Sequence, residues 1–551
     1  MMTGERNCVD SYQEPRTMRQ IFLIAIIGCC VCAPALAKPS ATAVARHVDD
    51  VLAAEVFSED TDLAPPASDE VFLRRVWLDL VGDVPTPEET TRFVLDRSAH
   101  KRQRVVSELL DNPAYGQNWA RYWRDVVFYR ALDERSQIAS YAMEADLTEQ
   151  FNKNVPWDRI AIEFITTRGD VLENGNTAIV MAQDGRTEET AAEVSRIFLG
   201  IQIQCAQCHD HPYDRWRREQ FHELAAFFPR IGVRPVREIT KRTFMVFGND
   251  KPSRRRPKDN SNRPQSEHFM SDLEDPTATG TKMQPRFFLT GDSLPLRTTD
   301  ARRRQQLAGW LTDSEWFATA MVNRLWSELV GEGFYELVDD IGPDREPTAP
   351  TAVKLLADEF RESGYDVKWL LSTICQTEAY GRSSRPRRGL EETPFTANVP
   401  QRLRSDQLLN AIHTALEVEE EPARAGQQRV FKPGQRLRAR RQFADVFGYD
   451  PSIAREEIVA SIPQVLALMN SPQVNRLIVS RGSSQLGRLI QEVSDDEQLV
   501  VELYLRWLCR QPSADEISQA IAHHQLVSNR AEAFEDLQWV LLNSAEFQHR
   551  R

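Results

Sequence analysis

Cysteine is scarce in this chain of 551 residues: there are 8, and Cys8, Cys29, Cys30 and Cys32 lie together near the start. The remaining four, Cys205, Cys208, Cys375 and Cys509, are too few to staple a chain of this length, which excludes a disulfide scaffold. Net positive charge is missing too. With 68 Lys and Arg against 81 Asp and Glu, the formal charge is −13, and an extended nucleic-acid surface needs a basic face to release counterions. The short basic runs Arg254–Arg256, Arg302–Arg304 and Arg436–Arg441 read as solvated loops or helix faces. No nucleophile elbow, phosphate loop or zincin pattern occurs. The apolar core at Ile21–Ala33 spans 13 residues, short of the roughly 20 that a membrane-crossing helix requires.

That apolar core follows Met18-Arg19 and precedes Ala35-Leu36-Ala37. Basic, apolar and small residues in this order are the layout of a secretory signal peptide, here cut after Ala37. The chain is therefore expected to be exported, to the periplasm or the cell surface, with no integral membrane span after cleavage. Cys205, Cys208, Cys375 and Cys509 then remain in the mature protein.

The remainder reads as mainly α. A chain of this length has room for two or three domains with substantial cores. Thr86-Pro87-Glu88-Glu89 carries a cap, a proline at the first helical position and a glutamate that can close a capping box. Trp119, Tyr122 and Trp123 read as core aromatics. Ser494 and Glu497 suggest a second capping box. From Gly248 to about Pro285 the chain turns polar, with few apolar anchors, as a linker or surface insertion would. The flanks Ile239–Phe247 and Arg286–Leu289 have strand-like composition and are expected to pair. This yields a signal peptide over 1–37, a helical domain over 38–248, a polar linker over 249–290 and a second helical domain over 291–551, with at most a small β element near the boundary. The stretches starting at Trp77 and Tyr504 echo one another through Glu89 and Glu516, which suggests a repeated helical module. Cys375 and Cys509 fall on predicted helices, with their bonding left open.

One stretch carries chemistry. Cys205-Ala206-Gln207-Cys208-His209 is Cys-x-x-Cys-His, the spacing that attaches a c-type haem through two thioethers and presents the histidine to iron. Val194, Ile197, Phe198 and Ile201 form an apolar stripe running into it, which places the motif at the end of a packed helix. Met181, Met245 and His222 are the candidates for a second axial ligand, since His211 is too close in sequence to reach around the ring. Two other occupants use the same residues. A zinc or iron ion could be held by Cys205, Cys208, His209 or His211, with Asp210 or Asp214, or Cys205 and Cys208 could be a disulfide or redox-active pair. Asp210, Asp214 and Arg215 also fit a salt-bridged turn, and Asp339-Asp340 a helix cap or solvated loop. Redox or envelope proteins are the expected partners; the rival is a non-catalytic surface interaction protein stapled by the motif.

Three groups of residues carry a family resemblance. They are Val194–Gly200 with Gln204–Trp216; Met321-Val322-Asn323-Arg324-Leu325-Trp326 with Glu359-Phe360 and Ser363-Gly364-Tyr365; and Ser461–Gln464, Leu468–Pro472 and Trp539–Phe547. In these the chain resembles a secreted planctomycete family that joins a cytochrome-like domain to a companion domain, both of unknown function. The resemblance implies export and a two-domain layout, and no activity. Glu346-Pro347-Thr348-Ala349-Pro350 departs from the Ser-His-Pro turn that similar proteins often carry.

Overall fold

The apolar stripe before the motif forms as its period requires. In a computed structural model of the chain, the helix Thr187–Leu199 buries Val194, Ile197 and Phe198, and the core continues through Ile201. The structure describes residues 38–237, 242–251, 265–275, 277–387, 389, 392–418, 435–453, 458, 461–470, 475–476, 478–482 and 484–551. The expected signal peptide, Arg254–Arg256 and most of Ser471–Val479 lie outside these residues.

Local signals place many helices. Thr86 accepts from the Glu89 amide and the Glu89 carboxylate accepts from the Thr86 amide, so the capping box opens the helix Pro87–Leu95. The second expected box is replaced by a single residue. Asp495 caps the helix Asp496–Leu508 by accepting from the amides of Glu497 and Gln498; its short carboxylate reaches both. The two echoing stretches share local geometry. The helix Asp69–Val81 ends on Gly82 at φ 72°, Asp496–Leu508 ends on Cys509 at φ 56°, and Ser513 with Glu516 repeats the capping box. The two turns also touch, with Cys509 Sγ 3.8 Å from the Pro85 carbonyl.

The fold is mainly α, with small antiparallel sheets. The strand Arg242–Gly248 lies between Ile231–Arg237 and the short strand Gly169–Asp170, with Val233 opposite Val246. Among the described residues the expected pairing with Arg286–Leu289 does not form. A strand that follows its neighbour closely in sequence closes a short loop, which costs less entropy than spanning the polar insertion. Arg286 instead bridges Ser293, and Phe287 and Phe288 enter the core.

Hydrophobic packing continues from one side of residues 249–290 to the other. One hydrophobic core runs from Val44 to Phe395, and the second joins Leu403 through Phe547 to Leu78 and Val84. Residues Pro39–Arg551 form one compact unit. The described part of the polar stretch is anchored by charge rather than by apolar side chains. Glu267 is buried and accepts from Arg303 at 2.5 Å, from Arg230 at 3.2 Å and from the Arg297 amide at 2.8 Å. The hairpin strands His268–Met270 and Thr281–Met283 follow it.

In the run Arg302–Arg304 only Arg302 is exposed as a solvated face would be. Arg303 and Arg304 are fully buried, Arg304 paired with Asp300 at 2.9 Å and donating to the Ile165 carbonyl at 2.6 Å. Composition cannot distinguish such a run from a surface one, because the partners come from distant segments. No helix among the described residues is long and apolar enough to cross a membrane. Removing one partner of a buried pair strands the other charge, so Glu267→Ala is expected to destabilise the protein by about 3–5 kcal/mol. The exposed pair Lys354–Asp358 provides the control, Lys354→Ala costing under about 0.5 kcal/mol. Shifts in urea midpoint measure both.

Candidate functional site: the Cys205–Trp216 turn

The motif helix stops before the motif. Gly200 closes it at φ 66°, and a Cβ there would lie 2.8 Å from Cγ1 of Ile341. The Ile341 amide donates to the Gly200 carbonyl at 2.8 Å across this close approach. Only glycine satisfies both the left-handed conformation and the contact. The chain then turns into the 3-10 segment Ile203–Gln207, which buries Ile203 and Ala206. Beside those two inward side chains, Cys205 and Cys208 are exposed residues with free thiols. The thiols thus sit on a separate turn packed beside the helix, not on the helix itself.

His209 is exposed, with Nδ1 2.6 Å from the Asp210 carbonyl. A carbonyl can only accept, so Nδ1 carries the proton. Nε2 has no hydrogen-bond partner among the described residues. An imidazole oriented by Nδ1–H on a carbonyl and open at Nε2 has the form of a metal-ligating histidine. The Asp210 carboxylate accepts from the Arg218 amide at 3.0 Å. The His211 amide donates to the Trp216 carbonyl at 2.7 Å, and its Nδ1 accepts from the Tyr213 amide at 3.3 Å. Trp216 is buried, edge-on to Phe288 at 5.0 Å.

A loop of the second half holds this turn in place. Arg215 donates to Asp344 from its amide at 2.8 Å and from Nε at 2.9 Å, while Arg345 donates to the Tyr213 carbonyl at 3.3 Å. Burial raises the Asp214 carboxyl above its usual range, with its hydrogen bond to Asp344 adding to the shift; the hydrogen bond from Arg215 lowers Asp344. Behind them, Asp339 is fully buried. It accepts from Arg196 of the motif helix at 2.5 Å and from Arg324, while Arg196 also donates to the Val126 carbonyl at 2.8 Å and to Ser452 at 2.9 Å. Asp339 is therefore an internal clamp and not a cap or solvated turn; Asp340 pairs with Arg345 at 3.2 Å.

Of the candidates for a second axial ligand, two lie in other parts of the fold and His222 lies beside the motif. Met181 is buried in the first core, and Met245 lies in the sheet opposite Asp170 and Arg234. The Nδ1 of His222 is 2.9 Å from His268 Nε2, and its Nε2 is 3.1 Å from the Gln207 carbonyl. Among the described residues no group of three or more His, Cys, Asp or Glu side chains is placed to hold a metal ion. Cys375 and Cys509 are free, buried in different cores, and burial pushes the Cys509 thiol up to about 12. Asp344 and His268 carry no signal in the sequence, where Asp339 reads only as a cap or solvated loop. Asp344 lies 129 residues from Arg215, and no local period or spacing links positions that far apart.

The geometry defines a class: a mainly helical protein with an exposed thiol pair on one turn, followed by a histidine open at Nε2. Residues 47–232 match the family model described as PSCyt2, protein of unknown function (DUF1549), and residues 303–524 match PSD1, protein of unknown function (DUF1553). The chain belongs to the proteins that carry these two domains of unknown function in that order. No curated protein and no solved structure matches it. The second matched region contributes to both hydrophobic cores, so the two regions fold as one unit.

Burial, followed by the adjacent His268, lowers His222 from 6.5 to about 4. The unfolded chain then binds a proton that the folded chain refuses between these values. The stability this group contributes is complete above about pH 6.5 and is lost as pH falls toward about 4. Wild type is expected to lose on the order of 3 kcal/mol across that window through this residue. In His222→Asn the slope of unfolding free energy against pH should be shallower there; an unchanged slope would refute the assignment.

Proposed function

We propose that the chain is an exported protein carrying a covalently attached c-type haem, with a redox or electron-transfer role. The observation that carries the reading is His209, with Nδ1 on the Asp210 carbonyl and Nε2 open, directly after two exposed free thiols. The residues fit the group. Cys205 and Cys208 can each add S–H across a vinyl group, forming a carbon–sulfur bond and leaving the hydrogen on the neighbouring carbon. Haem, when bound, supplies a one-electron couple at iron.

The remaining work falls to the chain. Ile203 and Ala206 anchor the turn so that both thiols stay outward. The His211–Trp216 hydrogen bond and the buried Trp216 fix its far end. The Arg215–Asp344 pair and the Arg345–Tyr213 bond hold it against the second half. Asp210 supplies the carbonyl that orients His209 and uses its carboxylate to secure the start of the helix Arg218–Ala225. The leader-like segment before Lys38 supports export, since haem is attached outside the cytoplasm.

Expression of the full chain with haem-maturation machinery should yield a haem-staining band on a denaturing gel and a mass increase of one haem. Cys205→Ala with Cys208→Ala should abolish both. His209→Ala should retain covalent haem and change its absorption spectrum, because the thioethers remain and an axial ligand is lost. A mature chain without added haem mass would overturn the proposal. Metal analysis of that same sample would then separate a zinc or iron occupant from a disulfide.

A further inference from the structure

Far in sequence from the thiol turn, the helices Pro113–Phe128, Ser140–Asn152, Ser405–Ala415 and Gln435–Phe447 contribute to the lining of a cavity of about 430 Å³. That volume suits a small ligand, but the lining is charged rather than apolar. Glu144 accepts from Arg121 Nε at 3.0 Å and from Arg124 at 2.7 Å. Arg124 also donates twice to one oxygen of Asp125, at 2.9 and 2.8 Å. Arg404 holds Asp406 through two bonds of 3.2 Å. These pairs neutralise the wall and hold it rigid.

Polar capacity is left over. Among the described residues, the two terminal nitrogens of Arg121 donate to no protein group, the second carboxylate oxygen of Asp125 accepts from none, and the Tyr141 hydroxyl has no hydrogen-bond partner. The rings of Phe128 and Tyr449 also line the cavity. Half-buried ion pairs make an apolar ligand unsuitable, since it would cover charge without returning a hydrogen bond. A suitable ligand presents an anionic acceptor to Arg121, hydroxyl donors to Asp125, hydroxyl groups to Tyr141 and a C–H face to the aromatic rings.

We propose that this cavity binds an acidic saccharide, its carboxylate on the terminal nitrogens of Arg121 and its ring hydroxyls on Asp125 and Tyr141. The site is independent of the haem reading and stands or falls without it. Burial raises the Asp125 carboxyl, and the neighbouring Asp406 adds to the shift, while Arg124 opposes it.

The test is titration calorimetry on the full chain with galacturonic acid and its disaccharide, galactose and inorganic sulfate. Saturable binding of the acidic sugars is expected, with galactose weaker by roughly ten-fold or more, the scale of one charge-assisted hydrogen bond. Tyr141→Phe and Arg121→Lys should each weaken binding by several-fold to about ten-fold, with thermal unfolding confirming that each variant is folded. Arg121→Lys keeps the charge beside Glu144 while removing the guanidinium fork. Absence of saturable binding would overturn the site. Equal affinity for galactose would overturn carboxylate recognition, and equal affinity for sulfate would reduce the cavity to a bare anion site. Unchanged affinity in both folded variants would place the sugar elsewhere.

Discussion

The buried carboxylate of Asp339 is the constraint on which the arrangement depends. It lies between Arg196, on the helix before the thiol turn, and Arg324, on a helix of the second matched region. Each guanidinium is nearly inaccessible, and neither could remain charged there without a counter-ion. Glu193 supplies the second carboxylate through Arg196, so the cluster pairs two cations with two anions. Hydrophobic packing could tolerate some sliding between these helices. A shared carboxylate at hydrogen-bond distance cannot, because the angle and length of each bond fix the register.

From Asp339 the same loop continues over the functional turn. Ile341 meets the Gly200 carbonyl, Asp344 takes Arg215 and Arg345 reaches the Tyr213 carbonyl. A motif contained in the first matched region is therefore shaped by the second. This gives a physical reason for the two regions to occur on one chain: the turn carrying Cys205, Cys208 and His209 has its outer edge completed by residues 341–345. It also explains how an exposed turn holds its form without a disulfide. Its inner residues are core, and its outer side is tied by ion pairs and backbone hydrogen bonds.

Legibility followed the range of the interaction. Thr86 and Glu89 are three residues apart, so their reciprocal hydrogen bonds could be read directly, as could the burial of Val194, Ile197 and Phe198. Ser494 was displaced as a cap by its neighbour Asp495, a one-residue shift between two competent side chains. The larger differences concern charge. Arg303, Arg304, Asp339 and Glu267 have the composition of a surface, yet all are buried. Periodicity reports how often a residue faces inward; it carries no information on which distant partner makes an inward charge tolerable.

By itself the sequence determined the helical class, the local caps, the aromatic core around Trp119 and the identity of the Cys-x-x-Cys-His residues. Those properties depend on covalent geometry and on contacts within one or two helical turns. Tertiary structure alone decided that the cores divide near residue 400, since Phe395 belongs to one and Leu403 to the other. It also decided that the polar stretch is pinned by Glu267 and that His209 leaves Nε2 open beside two outward thiols. Each of these depends on which segments meet in space, and that is settled by burial and charge compensation over more than a hundred residues, as Arg196 with Asp339 and Arg215 with Asp344 demonstrate.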